Sequence, residues 1–200
     1  MRLVANELAV ERGGRAIFDG ISFAVGAGEL LALTGPNGSG KSTLLRLIAG
    51  LLRATAGTLA LNPSGDAEIG EQVHYLGHLD ALKPNFTLAE NLLFWRHLWA
   101  GAGLAPIEAL DRVGLASLVD LPAGLLSAGQ RRRVAIARLL LVHRPVWLLD
   151  EPTTALDANA EIGLGDLIEA HLADGGLAIA ATHRSLPVRP NATLALGKTV

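Results

Sequence analysis

Cysteine is absent from this sequence of 200 residues, aromatic residues make up 4% of it, and charged residues make up only 18%. The missing cysteines exclude disulfide bonds, thiolate metal ligands and a cysteine nucleophile, and they suit a cytosolic protein. The charged fraction lies below the roughly 25% that is typical of soluble domains. The formal net charge of -2 argues against binding to nucleic acid through bulk electrostatics.

Long hydrophobic runs are missing as well. No apolar stretch approaches the roughly 18 residues that a membrane-spanning helix needs. The N-terminus contains Glu7 and Glu11 and lacks the apolar core of a signal peptide. Half of the residues are nevertheless apolar, which is enough for a large core and for some surface that a partner would cover. If the protein acts at a membrane, we expect it to dock onto another chain.

Short apolar runs alternate with longer segments of helical periodicity, which predicts an α/β fold with a largely parallel central sheet. Strands are predicted at Arg2–Val10, Asp19–Val25, Glu29–Gly35, Val146–Asp150, Leu177–His183 and Ala192–Gly197. Helices are predicted at Lys41–Leu52, Thr87–Trp99, Arg112–Val119, Ser127–Val142 and Glu161–Gly176. We interpret residues 1–200 as one domain, with a helical subdomain inserted at about residues 79–144.

The segment "GPNGSGKST" matches the phosphate-binding pattern G-x-x-x-x-G-K-[ST] between a predicted strand and a predicted helix. Its glycines let successive backbone N–H groups point at phosphate oxygens, and the helix dipole adds positive potential there. Lys41 is expected to contact the β- and γ-phosphates, and the Ser42 hydroxyl is expected to ligate Mg²⁺. The predicted nucleotide ligands in this loop are Gly35, Pro36, Asn37, Gly38, Ser39, Gly40, Lys41, Ser42 and Thr43.

Two carboxylates follow the apolar run "VWLL". Asp150, directly after a buried strand, is expected to hold Mg²⁺, usually through water. Glu151 is expected to polarise the attacking water as a general base. The alternative for Glu151 is a plain turn cap before Pro152.

The segment "LSAGQ" (Leu126–Gln130) precedes a predicted helix. Ser127 and Gln130 have the spacing of a capping box, so Ser127 is a predicted N-cap. Gly129 permits close backbone approach, and a helix N-terminus with free N–H groups binds anions. A helix cap without any ligand is the simpler alternative.

These motifs together resemble the ATP-binding subunit of ATP-binding-cassette (ABC) transporters, in family order over nearly the whole chain. Leu126–Gln130 is similar to the family signature, with Ala128 at its third position. "TALD", which ends at Asp157, is similar to the D-loop, and His183 in "ATH" is similar to the switch histidine. The resemblance implies a P-loop NTPase: an ABC-type nucleotide-binding domain with a RecA-like core, an antiparallel β subdomain and an inserted helical subdomain.

The resemblance also implies ATP hydrolysis with Mg²⁺ by two copies of the chain, which sandwich two ATP molecules head to tail. Metal-ligating roles fall to Ser42 and Asp150. Catalytic roles are implied for Lys41, His78, Glu151 and His183. Contact with the ATP of the other copy is implied for Ser127, Ala128, Gly129 and Gln130.

Three consecutive arginines, Arg131–Arg133, follow the signature. Successive residues lie about 100° apart around a helix, so the three do not share one face, which weakens a nucleic-acid-binding interpretation. We expect them to be solvated and ion-paired at the surface. The alternative is that one of them contacts nucleotide or the opposing copy. Val134, Ala137 and Leu141 are predicted to form the inward face of the same helix.

Two positions depart from the family pattern. Arg12 stands where members usually carry an aromatic residue that stacks on adenine. A guanidinium also stacks on a π-face, and a simple turn role is the equal alternative.

His78 stands where members carry glutamine. A neutral imidazole accepts from water or binds metal, whereas Mg²⁺ repels a protonated one, so we hypothesise increased sensitivity of transport-coupled hydrolysis to mild acid. A loop histidine without direct contact is the alternative.

The segments "ERGGRAIFDGISF", "YLGH" and "LSAGQRRRVAIARL" resemble the haem-transporting, CcmA-like ATPases of bacterial cytochrome c maturation. This resemblance implies CcmB- and CcmC-like membrane partners, a second copy of the chain, no nucleic acid, and a peripheral location on the cytoplasmic face of the inner membrane. The alternatives are the ATPase of another ABC exporter, a soluble ABC ATPase that acts on ribosomes or DNA, and a regulator that does not hydrolyse ATP. Intact Glu151 and His183 argue against the regulator.

Overall fold

The computed structural model describes residues 1–63 and 68–197. They divide into two compact units. The first, which we call the sheet unit, contains Met1–Gly77, Arg144–Pro152 and Ile168–Val200. The second, which we call the helical unit, contains His78–His143 and Thr153–Leu167.

The chain begins with three strands and has three successive α-helices in its middle, and elsewhere strands and helices are interspersed. The strands are β1 (Arg2–Arg12), β2 (Arg15–Gly26), β3 (Leu30–Thr34), β4 (Ala56–Asn62), β5 (Val73–Leu76), β6 (Val146–Asp150), β7 (Leu177–Ala181) and β8 (Ala192–Ala195). The α-helices are α1 (Lys41–Ile48), α2 (Leu88–Trp99), α3 (Pro106–Arg112), α4 (Ala128–Ala137) and α5 (Ala158–Ala173).

A five-stranded sheet with the order β5-β6-β7-β3-β8 forms the centre of the sheet unit. All of its pairings are parallel, which confirms the predicted parallel sheet. Every residue of β6 and β7 is buried, and their uninterrupted apolar sequences suit strands that are covered on both faces. Polar residues therefore appear only where these strands end, at Asp150 and Thr182.

A three-stranded antiparallel sheet with the order β2-β1-β4 belongs to the same unit. The hairpin between β1 and β2 turns at Gly13 and Gly14, whose φ angles of 59° and 73° suit glycine. β4 was not among the predicted strands, because only one of its residues is buried. The two sheets and α1 share one core of buried aliphatic residues, among them Leu3, Leu8, Leu33, Leu44, Leu45, Ile48, Leu148 and Ile179.

Trp147 and His171 form a buried stack in the sheet unit. Their ring centroids are 4.1 Å apart and the rings are nearly parallel, at 10°. His171 Nε2 lies 3.1 Å from the carbonyl oxygen of Leu177. The ring also fills the space beside Gly176, so that a Cβ atom there would collide with it.

The helical unit has a core of its own, built mainly from α2, α3 and α4. Val134, Ala137 and Leu141 are buried in it, which confirms the predicted inward face of α4. Trp95 and Trp99 pack partly buried against this core with centroids 5.0 Å apart.

Several helix boundaries differ from the predictions. The short helix predicted at Arg112–Val119 is instead α3, which ends at Arg112, followed by a 3₁₀ turn at Ala116–Leu118. α3 begins at Pro106, where proline suits the first turn, and Glu108 accepts a hydrogen bond from the backbone N–H of Ala105 at 2.7 Å.

The helix predicted at Ser127–Val142 is α4 followed by a 3₁₀ turn at Arg138–Leu140. By contrast, the predicted capping box of Thr87 and Glu90 at the start of α2 is confirmed. No helix within residues 1–63 and 68–197 is long and apolar enough to cross a membrane.

Candidate functional site

The glycine-rich loop between β3 and α1 has a backbone that only glycine adopts easily. Gly35, Gly38 and Gly40 have φ angles of 135°, 81° and 96°. A Cβ atom at Gly35 would collide with the carbonyl oxygen of Leu196, whereas one at Gly38 would meet nothing within 4 Å. The loop is therefore tightly packed at one end and open above Gly38, as a phosphate cradle has to be.

Lys41 is the first residue of α1 and is only 7% exposed. Its Nζ donates to the carbonyl oxygens of Gly35 and Pro36 at 2.7 and 3.0 Å. His183 Nε2 lies 3.2 Å from the same Nζ. A buried ammonium is thus held over the loop by two backbone carbonyl oxygens, which carry no net charge and leave its positive charge available to an anion.

Ser42, Asp150 and Tyr75 form a second cluster. The Ser42 hydroxyl donates to Asp150 Oδ1 at 3.0 Å, and the Tyr75 hydroxyl donates to Asp150 Oδ2 at 3.2 Å. Burial raises the pKa of Tyr75 above its ordinary value, and the charge of Asp150 acts in the same direction while Arg46 opposes it. The phenol therefore remains a hydrogen-bond donor to the carboxylate at neutral pH.

Tyr75 was not among the predicted site residues. It lies on β5, which pairs with β6 so that Tyr75 is opposite Leu148. The strand "VHYL" gives no local sign of this contact, because the register between the two strands brings the hydroxyl to Asp150. Only the parallel pairing of β5 with β6 indicates that Tyr75 lies close to Asp150.

Glu151 and His183 approach each other at the ends of β6 and β7. Glu151 has a φ angle of 47°, which is unusual for a residue other than glycine, and its backbone N–H donates to the carbonyl oxygen of Ala181 at 2.9 Å. Glu151 Oε1 lies 3.5 Å from His183 Nε2. Strained backbone of this kind clusters at functional sites. The structure therefore brings together Lys41, Glu151 and His183, which are far apart in the sequence.

The loop and the neighbouring carboxylate fit a phosphate-bound Mg²⁺ ion. Ser39 Oγ is buried and has no hydrogen-bond partner among the described residues. This hydroxyl is therefore able to form a hydrogen bond with a ligand in the loop. Ser42 and Asp150 offer two protein oxygens, and Mg²⁺ is usually bound by one or two such groups together with phosphates and water. Within residues 1–63 and 68–197, no group of three or more His, Cys, Asp or Glu side chains makes a cage for a metal.

The signature segment lies in the helical unit, at the start of α4. The Ser127 hydroxyl accepts from the backbone N–H of Gln130 at 3.2 Å, and Gln130 Oε1 accepts from the N–H of Ser127 at 2.8 Å. The predicted capping box is therefore present. Ala128 is the first residue of α4. A Cβ atom on Gly129 would lie 2.7 Å from the carbonyl oxygen of Ala155, so this position needs glycine for close packing within the unit.

The three arginines after the signature differ in exposure: Arg131 and Arg133 are partly exposed, whereas Arg132 is buried and ion-paired. Arg132 is only 3% exposed and its Nη1 lies 3.4 Å from Asp80 Oδ1. Arg131 and Arg133 donate to backbone carbonyl oxygens, at 2.6 Å and 3.3 Å. The expectation of surface solvation is therefore wrong for Arg132, because a carboxylate inside the same unit supplies its partner.

The remaining predicted residues lie at exposed positions. Arg12 ends β1 at the hairpin turn and is exposed. His78 is exposed in the loop after β5 and belongs to the helical unit. Asp157 is exposed, and its Oδ1 accepts from the backbone N–H of Ala160 at 2.8 Å, which caps α5. For these three residues, the described contacts include no partner from the cluster around Lys41.

Known proteins match both the sequence and the fold. The sequence profile of the ABC transporter family matches residues 18–154. The chain belongs to the ABC transporter family. It is an ABC transporter ATPase with the mixed α/β fold of that family, in which an antiparallel β subdomain accompanies a parallel core sheet.

Within the ABC transporter family, the chain is CcmA-like. It is 51% identical to the cytochrome c biogenesis ATP-binding export protein CcmA of Chelativorans sp. (strain BNC1), over 98% of both chains. The protein of the same name from Rhodopseudomonas palustris (strain BisB5) is 53% identical over 94% of both. Among solved structures, the dimeric post-hydrolysis state of the ATP-binding cassette MJ0796, bound to ADP and Pi, superposes with a TM-score of 0.83 at 25% identity, covering 97% of this chain and 94% of that one.

Proposed function

We propose that this ABC transporter ATPase drives a membrane complex of cytochrome c biogenesis, in which ATP binding and hydrolysis are coupled to haem handling. The observation that carries the proposal is the convergence of Lys41, Glu151 and His183 beside the glycine-rich loop, within 3.5 Å from group to group. The similarity to the two CcmA proteins over nearly their whole length supports the cellular role.

ATP would bind with its phosphates in the loop of residues 35–43. Lys41 Nζ now donates to the carbonyl oxygens of Gly35 and Pro36. On ATP binding, phosphate oxygens would replace these carbonyl oxygens as its hydrogen-bond acceptors. Ser42 and Asp150 would hold Mg²⁺, which supplies charge neutralisation at the β- and γ-phosphates when it is bound. Tyr75 would keep Asp150 oriented through its hydrogen bond, and Arg12 is the candidate for stacking on adenine.

Hydrolysis requires an oriented water molecule and a group that accepts its proton. Glu151 is the candidate for this role, and two observations support it: its backbone is fixed by the hydrogen bond to Ala181, and the residue is only partly exposed. His183 lies between the carboxylate of Glu151 and the ammonium of Lys41. It would position Glu151 and sense the γ-phosphate that Lys41 binds.

Completion of the site would come from a second copy of the chain. The capping box engages the backbone N–H groups of Ser127 and Gln130, so the N–H groups of Ala128 and Gly129, together with the Ser127 hydroxyl, are the candidate donors to an anion at this helix start. We assign Ser127, Ala128, Gly129 and Gln130 to contact with the γ-phosphate held by the other copy, and Asp157 to the contact between copies. The dimeric state of the structurally similar cassette MJ0796 supports this arrangement.

The partners would be integral membrane permeases of the CcmB and CcmC type, which place this chain on the cytoplasmic face of the inner membrane. His78 would take part in hydrolysis and in its coupling to these partners. Affinity isolation of the chain from membranes tests this part: a co-purifying permease supports it, whereas ribosomes or DNA in place of a permease would contradict it.

ATP turnover by the wild type and by Glu151→Gln tests the catalytic assignment. We expect turnover to fall by roughly 100-fold or more, because a general base contributes about 10²–10⁴ to the rate. ATP binding should persist, and the variant should accumulate as a dimer in size-exclusion chromatography. Glu169→Gln, at an exposed position on α5, is the matched control. Equal turnover in wild type and Glu151→Gln would remove Glu151 from this role.

A further inference from the structure

Two buried arginines of the helical unit hold one residue of the loop that follows β5. Arg132 Nη1 lies 3.4 Å from Asp80 Oδ1, and Arg138 Nη1 donates to the backbone carbonyl oxygen of Asp80 at 2.8 Å. Arg132 and Arg138 are 3% and 4% exposed. Asp80 is thus held both through its side chain and through its backbone.

Burying two guanidinium groups costs more free energy than packing apolar side chains in the same place. Burial lowers the pKa of Arg138 to about 10, the charge of Asp80 raises it, and the charge of Arg132 lowers it further. The Arg138 guanidinium lies 4.8 Å from the centre of the Trp95 ring, and its Nε has no hydrogen-bond partner among the described residues. Apolar side chains of similar volume often stabilise a fold as well as buried ions do. The two guanidinium groups that contact Asp80 therefore serve better to hold this loop residue in one position than to fill space.

The loop is fixed at its far end too. The backbone N–H of Lys83 donates to Asn91 Oδ1 at 2.8 Å, and Asn91 Nδ2 donates back to the Lys83 carbonyl oxygen at 3.1 Å. Between these two anchors, Ala81 has a φ angle of 52°, which costs energy for a residue with a Cβ atom. The surrounding contacts therefore impose the path of the loop from Asp80 to Lys83.

The same loop begins at His78, where the division between the two units falls. Asp80 lies two residues further on, and its anchor Arg132 is on α4, the helix that starts at the signature segment. A movement of α4 would therefore carry the anchor of the His78 loop with it.

We propose that Asp80, clamped by Arg132 and Arg138, is a positioning residue that fixes His78 relative to the N-terminus of α4. The His78 loop and Ser127 then move as one body, so that placement of the signature segment and placement of His78 are a single event. This inference rests on the proposed function, in which His78 and Ser127 take part in ATP turnover.

A double-mutant cycle between Asp80 and His78 tests the inference, with the purified chain and MgATP. We expect Asp80→Asn to lower kcat about five- to tenfold and to change KM for ATP less than about twofold, because the residues around Lys41 are untouched. In a His78→Ala background, the same Asp80 substitution should change kcat less than about twofold, since the group that it positions is gone.

The variants are chosen to separate positioning from folding. Asp80→Glu, which keeps the charge, should recover kcat to within about twofold of the wild type. Asp120→Asn, at an exposed aspartate of the same unit, should leave kcat and Tm unchanged. If Asp80→Asn lowers Tm strongly, Arg132→Lys offers a milder weakening of the clamp, and its effect on kcat should likewise vanish in the His78→Ala background.

The possible outcomes point to different failures. If His78→Ala lowers kcat and the effects of the two substitutions multiply, or if Asp80→Asn is silent, the clamp does not position His78 and the inference is overturned. If His78→Ala itself leaves kcat unchanged, the role that we propose for His78 fails first, and a remaining effect of Asp80→Asn would belong to α4 alone. Each of these three results contradicts the inference as stated.

Discussion

The sheet unit and the helical unit use their charged residues in opposite ways. In the sheet unit, Lys41, Asp150, Glu151 and His183 converge beside the glycine-rich loop, where an anion and a cation would meet them. In the helical unit, the arginines after the signature hold a carboxylate and backbone carbonyl oxygens of the unit itself. The sheet unit therefore gathers its charged side chains beside the glycine-rich loop, whereas these arginines of the helical unit have their partners inside that unit.

The largest expected effect is on nucleotide binding by the sheet unit. We expect Lys41→Met to weaken ATP binding by about 100-fold, because removal of one partner of a buried charge pair costs about 2–5 kcal/mol. Isothermal titration calorimetry measures this directly. Lys83→Met is the matched control: its ammonium lies over the rings of Phe86 and Phe94 in the helical unit, and ATP affinity should not change. If both variants bound ATP with similar affinity, the conclusion that the sheet unit binds the nucleotide through Lys41 would be wrong.

The next effect separates turnover from binding. Ser127→Ala should lower turnover about tenfold while the chain still binds ATP, and loss of the cap should lower the free energy of unfolding by about 1 kcal/mol. Thr87→Ala removes the same kind of capping box from α2 and should cost similar stability without affecting turnover. Chemical denaturation and steady-state turnover of both variants provide the comparison. Equal losses of turnover would mean that the signature serine acts only as a cap.

A smaller effect concerns Tyr75, which is the single tyrosine of the sequence. Its raised pKa means that the folded state keeps the phenolic proton above the ordinary value of 10.0. This contribution to stability is complete below pH 10 and is lost as the pH rises through the folded-state pKa. The difference in free energy of unfolding between the wild type and Tyr75→Phe should therefore shrink above pH 10.

Two measurements check the role of Tyr75. Ultraviolet absorbance should show its ionisation above pH 10 in the folded wild type, and at lower pH after denaturation. At neutral pH, Tyr75→Phe should lower turnover by a few-fold, since a hydrogen bond to a charged group contributes about 1.5–3 kcal/mol and part of that loss falls on the orientation of Asp150. Ionisation at or below pH 10 in the folded protein would contradict the burial of this hydroxyl beside the carboxylate.

The smallest effect belongs to the helical unit. Gly163 lies inside α5 beside a cavity of about 340 Å³ that Arg112 and Arg133 also line, and a Cβ atom there would meet nothing within 4 Å. Gly163→Ala should raise the free energy of unfolding by about 0.5–1 kcal/mol and leave turnover unchanged. Gly129→Ala, whose Cβ atom would press on the carbonyl oxygen of Ala155, should instead destabilise. A loss of turnover in Gly163→Ala would show that this cavity matters for function.

The same contrast explains what the sequence could predict. The glycine-rich loop, the carboxylates after β6 and the cap at Ser127 are contiguous motifs whose geometry follows from local backbone rules, and the parallel sheet follows from the alternating pattern. The phosphate-binding loop and the α/β fold were therefore predictable from the residues, and the motifs in family order made the family and its activity recognisable by resemblance. The cellular role of the chain was likewise predictable only through resemblance to known proteins.

Contacts between distant segments were not predictable in the same way. Tyr75 reaches Asp150 through strand register, and Asp80 meets Arg132 across 52 positions of the chain. Nothing in "RRR" distinguishes a buried arginine from two partly exposed ones. The burial of Arg132 depends on a carboxylate that only the folded helical unit brings close.

The stacked pair of Trp147 and His171 has a practical use. Trp147 is 4% exposed in the sheet unit, whereas the other two of the three tryptophans, Trp95 and Trp99, lie in the helical unit. The chain thus carries natural fluorophores on both units, and single-tryptophan versions would report the melting of each unit separately. Because the indole of Trp147 is stacked on the His171 ring in the folded chain, unfolding of the sheet unit would change the surroundings of this fluorophore directly, without any added dye.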